Sequence, residues 1–404
     1  MDIADLQALL APEGRALLAE LGALGGYREA DALTLSAKLR ARYPADLVTS
    51  ALTQARLRGR AAAKFGAPAA DMYFTAHGLE QATRRPVAEL RAARYAAAGV
   101  RRVADLCCGI GGDALAFAAA GIEVLAVDRD PLTCAITQAN ARAAGVADLV
   151  EVRCADVVKL AQDGLAAHGC DAVFLDPARR TERGRVFDPD AYSPPWSFAL
   201  ALAGLVPAAG VKVAPGLPHG LIPEAAEAEW VSDRGEVKEA GVYFGPLAAV
   251  SRRATLLPGP HTFVPRGLPD PAAGPVRRYL YEPDGAVIRA RLLGELAQDL
   301  DATTVDPTIA YLTSDRLVAT PFASGYEVTD VLPFHVKRLR ALIAERRIGS
   351  LTVKKRGADV DPAALRGQLR PSGPNAATLI VTRVLGAHTA LLARPAGESA
   401  TRHS

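Results

Sequence analysis

Val103-Ala104-Asp105-Leu106-Cys107-Cys108-Gly109-Ile110-Gly111-Gly112-Asp113 is the stretch whose reading decides the fold. Val103 to Leu106 is a short apolar run that carries one acid near its end, the pattern of a buried parallel strand reaching a sheet edge. Gly109, Gly111 and Gly112 follow. Without a Cβ these residues permit positive φ and let a ligand approach the backbone closely. The alanine-rich run from Asp113 to Gly121 predicts a helix, whose first amides lack partners within the helix and point over the turn. Together these pieces form a nucleotide-binding strand, turn and helix at the carboxyl edge of an open α/β sheet.

Glycines alone leave a purely structural turn or a dinucleotide fold open. The acid in front of them discriminates. Asp105-x-Cys107-x-Gly109-x-Gly111 reads acid-x-small-x-Gly-x-Gly, which resembles the motif of Rossmann-like S-adenosylmethionine-dependent methyltransferases. A carboxylate there would repel a pyrophosphate, whereas it attracts a donor that is cationic at sulfur and amine. The next apolar run, Ile122 to Asp128, also ends in an acid, placed about twenty residues after the glycines, where a carboxylate bridges ribose hydroxyls. Asp130-Pro131 opens a helix toward Ala144 with proline in its first turn. A third strand, Leu149 to Cys154, leads to Asp156, which either meets the adenine amino group or caps the following turn. The expected donor site is therefore Asp105, Cys107, Gly109, Gly111, Asp113, Asp128, Arg129 and Asp156.

At 404 residues the chain exceeds what one core organises, and roughly two or three domains are expected. No apolar run reaches membrane-spanning length, so no membrane partner is expected. The opening Met1-Asp2-Ile3-Ala4-Asp5 is acidic where a signal peptide would be basic. Five cysteines, all between Cys107 and Cys170, suggest no disulfide framework and fit a reducing cytoplasm. Cys107-Cys108 lacks a second pair or nearby histidine at zinc spacing, and no metal is expected. Charge is distributed unevenly. Val331 to Ser404 holds thirteen Lys and Arg against four Asp and Glu, a local +9 within a chain of net +3. That asymmetry points to a C-terminal module that faces a polyanion.

In chain order, residues 1–99 read as helices, with Leu6, Leu9, Leu10, Leu17 and Leu18 at helical spacing. Arg56, Arg58, Arg60 and Lys64 form either a solvated helical face or an RNA contact. The non-periodic stretch Met72 to Thr83 could fold over donor and substrate as a lid, with Phe74, Thr75 and Gln81 as contacts. A catalytic domain over 100–258 is expected to hold seven strands, the fourth being Ala172 to Asp176 and later ones Gly210 to Ala214, Gly235 to Phe244 and Ala249 to Leu257. Residues 259–274, rich in Pro and Gly, read as a linker, and residues 275–398 as an α+β module.

Displacing a methyl group from a sulfonium requires mainly that the nucleophile be positioned and its proton accepted. Asp176 sits where an acceptor for an exocyclic N–H belongs. Amino methyltransferases often place two prolines and an aromatic after this acid, whereas here Asp176-Pro177-Ala178-Arg179 offers an arginine plane for base stacking. Ser193-Pro194-Pro195-Trp196 spells the fuller motif about seventeen residues later. It reads as a helix start capped by Ser193, or as a loop whose Tyr192 and Trp196 clamp a flipped base. Arg179, Arg180, Arg183 and Arg185 are either solvated or bind phosphate at the rim of the site. No cysteine follows Cys170, which disfavours thiolate-assisted methylation of a pyrimidine carbon.

From the leading helices through Gly78-Leu79-Glu80-Gln81-Ala82-Thr83, Asp105 to Gly112 and Leu175 to Arg180 to Lys354-Lys355-Arg356-Gly357, the chain resembles a bacterial family of class I methyltransferases with a THUMP-like domain at the C-terminus. Its catalytic part is distantly similar to trimethylguanosine synthase. The resemblance implies S-adenosylmethionine as cofactor, structured RNA (tRNA or rRNA) as partner, a guanine amine as target, and Lys354, Lys355 and Arg356 as RNA contacts beside Phe74, Thr75 and Arg180. A small-molecule methyltransferase and a non-catalytic donor- or RNA-binding protein are the competing classes. An electrostatically held RNA predicts affinity that falls steeply as salt rises; a titration at several salt concentrations checks it, and salt-indifferent binding removes the charge argument.

Overall fold

A computed structural model describes residues 1–24, 32–162, 164–178, 180–181, 184–185 and 188–396. Two compact units emerge, one of residues 1–228 and 240–251, the other of residues 229–239 and 252–404.

The first unit opens with helices α1 (Ile3–Leu10), α2 (Pro12–Ala23), α3 (Ala32–Arg40), α4 (Ala45–Phe65), α5 (Ala76–Gln81) and α6 (Arg85–Ala97). Asp2 caps α1 by accepting from the Asp5 amide, and Asp5 returns the bond to the Asp2 amide, a reciprocal cap set by two acids three residues apart. The helical leucines do what their spacing predicts. Leu6, Leu9, Leu17, Leu18 and Leu21 pack with Leu47, Val48, Ala51 and Leu57 of α4 in one apolar cluster. The same cluster takes in Ile110 of the glycine turn together with Ile136 and Ala139, so the leading helices share a core with the nucleotide-binding elements.

Those elements alternate strand and helix: β1 (Arg102–Leu106), α7 (Gly112–Ala119), β2 (Glu123–Asp128), α8 (Pro131–Ala143), β3 (Val150–Cys154), α9 (Val157–Gln162), β4 (Ala172–Leu175), α10 (Trp196–Ala203) and β5 (Ala208–Val213). The five strands pair in parallel in the order β3-β2-β1-β4-β5. They continue into a hairpin, β6 (Glu227–Asp233) and β7 (Glu236–Phe244), with β7 antiparallel to β5. The order β3-β2-β1-β4-β5-β7-β6 supplies the seven strands expected, though not all in the places expected. β6 was missed, and the run at 249–257 forms β8 (Arg252–Leu257), which belongs to the second unit. Acids disguise β6: Glu227 and Glu229 are buried, and Glu227 accepts from Arg94, Ala249 N and Val250 N at 2.8, 2.8 and 3.1 Å.

In the second unit β8 lies beside the β6 residues of that unit, and β9 (His261–Phe263) pairs antiparallel with β8. There follow β10 (Tyr279–Pro283), α11 (Gly285–Arg289), α12 (Leu293–Leu300), β11 (Thr303–Asp306), β12 (Ile309–Ser314), β13 (Ala323–Pro333), α13 (Val336–Glu345), β14 (Ile348–Lys355), α14 (Pro362–Leu369), β15 (Asn375–Val384) and β16 (Ala387–Pro395). Strands β10 to β16 form a seven-stranded sheet in the order β11-β12-β10-β13-β16-β15-β14, with only the β14–β15 pair parallel among its registers. Leu339 and Ile343 of α13 and Leu365 and Leu369 of α14 bury against Leu351, Leu379, Val381 and Leu392 of the sheet. Arg291, whose φ is +53°, separates α11 from α12. Residues 259–274 are built into this unit rather than strung between bodies. They hold β9, Arg266 binds Glu295 O and Asp299, and Gly274 N donates to Thr304 O at 2.8 Å.

One close approach sets the sheet centre. Tyr95 of α6 is fully buried and donates from its hydroxyl to Val173 O at 2.8 Å, passing 2.4 Å from where a Cβ on Gly210 would stand. Gly210→Ala is therefore expected to destabilise the protein by about 1–3 kcal/mol, and Tyr95→Phe in the same chain to recover part of that; thermal unfolding of the two variants measures it.

Candidate active site

The glycine turn takes the backbone its sequence demands. Cys107, Gly109 and Gly111 have φ of +62°, +57° and +86°, and Gly111 is the left-handed cap from which α7 starts. A Cβ at Gly109 would meet no atom within 4 Å, whereas one at Gly111 would lie 2.9 Å from Thr137 Cγ2. Gly109 thus leaves its outer face open to a ligand, and Gly111 lets α8 close against the turn. Thr137 Oγ1 donates to Gly109 O at 2.7 Å and Asn140 Nδ2 to Ile110 O at 3.0 Å, so α8 holds the turn from behind.

Carboxylates converge on this turn. Asp128, at the end of β2, accepts from Gly109 N at 3.1 Å and from Asp130 N at 3.0 Å, one bond to each oxygen. A carboxylate offers about four acceptor sites, which leaves capacity for two hydroxyls. Burial raises the Asp128 pKa, opposed by its bonds from the Asp130 and Gly109 amides. Asp105 is 1% exposed, and neither of its oxygens reaches a hydrogen-bonding partner. Burial holds its pKa well above the usual carboxylate range, reinforced by Asp113 and Asp176 and opposed by Arg91 and, least of all, by the Ala114 amide, whose approach falls short of a full hydrogen bond. An unpaired buried carboxylate beside an open glycine backbone fits a ligand bringing a cationic amine, and the expected donor is such a ligand. Burial, followed by Asp128, Asp176 and Asp105, also drives the Cys107 thiol far above its ordinary value. A thiol so held is no nucleophile.

At the acceptor side, Asp176 follows β4, and its amide donates to Leu106 O at 3.2 Å, which sets it beside the donor turn. Its Oδ2 takes a hydrogen bond from Lys212 Nζ at 2.8 Å, and the same ammonium donates to Thr83 Oγ1 at 2.9 Å. Sequence reading missed Lys212, since a lone lysine among the valines of β5 carries no motif.

Other expected residues take different work. Asp113 pairs with the buried Arg91, whose guanidinium lies 4.2 Å over the Phe174 ring, so this acid fastens α7 to α6. Asp156 Oδ1 accepts from Val158 N at 2.8 Å and Lys159 N at 3.3 Å, the capping alternative. Arg129 is exposed. The Phe74 ring is fully buried and packs 5.7 Å from Phe65, so it offers no face to a substrate. Its backbone is clamped instead. Phe74 N and O bond the Gln54 side-chain amide at 3.0 and 2.6 Å, while Tyr73 N and O bond that of Asn140 at 2.7 and 3.1 Å. Thr75 caps α5 by accepting from Gly78 N, and Gln81 is exposed. Arg58 and Lys64 turn inward onto backbone carbonyls of residues 71–82, while Arg56 and Arg60 face solvent.

Pro177 is buried, and Ala178 exchanges backbone bonds with Ser193 at 2.9 and 3.1 Å. Tyr192 and Trp196 are 4% and 5% exposed, which withholds both rings from base stacking in this conformation. Pro195, not Ser193, caps α10, without a side-chain bond. Arg179 and Arg183, and the side chains of Arg180 and Arg185, lie outside the described residues. In the second unit Lys354 and Arg356 both pair with Glu282, leaving Lys355 exposed. Among the described residues no His, Cys, Asp or Glu group of three or more could hold a metal ion, and no helix is long and apolar enough to cross a membrane.

Comparison with known proteins extends this geometry. A family model described as RNA cap guanine-N2 methyltransferase matches residues 100–180, a THUMP domain-like model matches residues 323–395, and a domain of unknown function matches residues 2–61. An uncharacterized S-adenosylmethionine-dependent methyltransferase of Mycobacterium tuberculosis, from either of two strains, is 33% identical over 363 residues, covering 84% of this chain and 95% of its own. A crystal structure from Porphyromonas gingivalis W83, of a protein assigned as a methyltransferase, superposes with a TM-score of 0.72 over 92% of this chain and 100% of its own. At 21% identity that likeness establishes the fold alone.

The state of Asp105 gives a test with two opposite signs. Its raised pKa means the folded chain binds that proton more tightly than the unfolded one. The contribution favours folding at acid pH, fully below the ordinary value of an exposed carboxyl, and is lost as pH rises through the folded value. Asp105→Asn is therefore expected to raise the melting temperature near neutral pH while weakening donor binding by about 10- to 100-fold. Unfolding scans with donor titration calorimetry read both effects, and weakening both together would contradict the assignment.

Proposed function

The chain belongs to the family of S-adenosylmethionine-dependent methyltransferases, and on that premise we propose that it methylates an exocyclic amine of structured RNA, a guanine N2 being the best fit. S-adenosylmethionine is the donor. When bound it supplies a methyl group on a sulfonium, which leaves as a neutral thioether. Asp105 takes its amine, Asp128 its ribose hydroxyls, and the open backbone at Gly109 its close approach, with Gly111 letting α8 close behind the turn. Cys107 completes the donor side of the reading, while Asp156 caps the turn that follows β3.

The observation that carries the acceptor assignment is Asp176. One of its oxygens is held by Lys212, and its amide is tied to the strand that ends in the donor turn. The other oxygen accepts an N–H from the nucleophile and so turns the nitrogen lone pair toward the methyl group. Pro177 fixes the backbone after it. The match to a guanine-N2 methyltransferase family over residues 100–180, which contains Asp176, supports the choice of amine.

RNA is supported by the second unit. Lys337, Arg338 and Arg340 on α13, Arg366 on α14 and Arg370 just after it are exposed, with no ion pair among the described residues. They lie within the THUMP domain-like match, and phosphate contact is the plain use of such a face. Lys355 joins them, whereas Lys354 and Arg356 shape the module through Glu282. Five free cysteines suit a cytoplasmic setting. A small-molecule acceptor is the competing reading, favoured by the burial of Tyr192 and Trp196, which leaves no stacking platform from that loop.

Incubation with labelled donor and a whole extract of a strain lacking the protein, with the RNA then separated and digested to nucleosides, decides between them. Labelled N2-methylguanosine is expected. Label confined to small metabolites would favour the competing reading.

A further inference from the structure

We propose that Lys212 is a positioning residue for methyl transfer, setting the angle of the Asp176 carboxylate so that one defined oxygen meets the nucleophile's N–H. This rests on the assignment of Asp176 as the acceptor of that proton. Lys212 stands on β5, where every residue is buried, and it is itself 4% exposed between Val211 and Val213. An ammonium in such surroundings is costly to desolvate, and a well-packed apolar side chain with a neutral partner would hold a strand at least as well. Stability alone therefore does not account for it.

Two of its bonds explain the placement better. Asp176 Oδ2 lies 2.8 Å from Nζ, and Thr83 Oγ1 lies 2.9 Å from the same atom. Thr83 is buried, and its carbonyl oxygen lies 3.6 Å from the Cβ position of Gly112, the first residue of α7. Asp176 in turn is bonded through its amide to Leu106, immediately before the turn. Lys212 thus ties the acceptor carboxylate to the element that presents the donor. A carboxylate bound at one oxygen by a fixed ammonium has lost its rotation about Cβ–Cγ, so the other oxygen points one way. In-line transfer is sensitive to misplacement by about 1 Å, and a single such tie is worth having.

Lys212→Met, Asp176→Ala and Asp176→Asn, alone and combined, test the idea with labelled donor and a whole extract of a strain lacking the protein, split by ribonuclease treatment. Lys212→Met is expected to leave donor affinity within about 3-fold while lowering kcat by about 100-fold. On the Asp176→Asn background, where an oxygen still needs aiming, it should again cost rate. On the Asp176→Ala background it should cost nothing further, because nothing remains to be aimed. Should Lys212→Met alone fail to fold by leaving a half-buried carboxylate unpaired, the Asn pair still gives the comparison. A wild-type kcat in Lys212→Met, or the same loss on all three backgrounds, overturns the proposal. Label appearing only in the ribonuclease-resistant fraction would sink the RNA assignment and still measure Lys212; no transfer to either fraction ends both.

Discussion

Crowding of like charge at the carboxyl edge of the sheet is the constraint from which the rest follows. Asp105 and Asp113 flank the glycine turn, Asp128 closes it from the next strand, and Asp176 approaches from the fourth. A ligand-free protein must hold these acids together against repulsion and desolvation. It does so unequally. Arg91 holds Asp113, Lys212 holds Asp176, two backbone amides hold Asp128, and Asp105 is left without a bond. The two cations come from α6 and β5, outside the motif, so the surrounding elements are placed by the charges they must meet. The remaining electrostatic debt at Asp105 is what a positively charged donor settles.

Much of this was legible in the sequence. The strand, turn and helix at 103–121, the acid ending β2 and the strand ending at Asp176 all obey local rules: period, glycine conformations, an acid at a strand end. Failures came where a tertiary partner overrode local appearance. β6 reads as polar because Glu227 and Glu229 are buried, yet Arg94, Thr255 and nearby amides satisfy them, and none of these partners is near in sequence. Phe74 suggested a substrate contact because it follows a break in periodicity. The break exists because the chain is extended there, with its hydrogen bonds supplied by side chains of α4 and α8. Lys212 gave no signal, since a buried lysine is recognisable only by what it touches.

The charge asymmetry was read correctly in sign and too simply in detail. Counting from Val331 excluded Glu282, Glu327 and Asp330, which lie on β10 and β13 of the same sheet. Those acids take up Lys354 and Arg356, Arg278 and Arg394, and Arg346 respectively. What remains for a polyanion is a helical face with Lys355, since Glu282 takes up Lys354 and Arg356. Exposed ion pairs of this kind are each worth about 0–1 kcal/mol, so their role lies less in stability than in deciding which cations stay available.

The paired side-chain amides around Tyr73 and Phe74 bear on how the molecule divides. Gln54 and Asn140 act as a ladder of two rungs on each side, substituting for neighbouring strands that this segment does not have. One rung lies within the stretch matched as a domain of unknown function and the other within the stretch matched as a methyltransferase. The seam that sequence families draw near residue 100 is therefore sewn shut by hydrogen bonds. A chain cut there would keep the glycine motif but lose the wall behind Ile110.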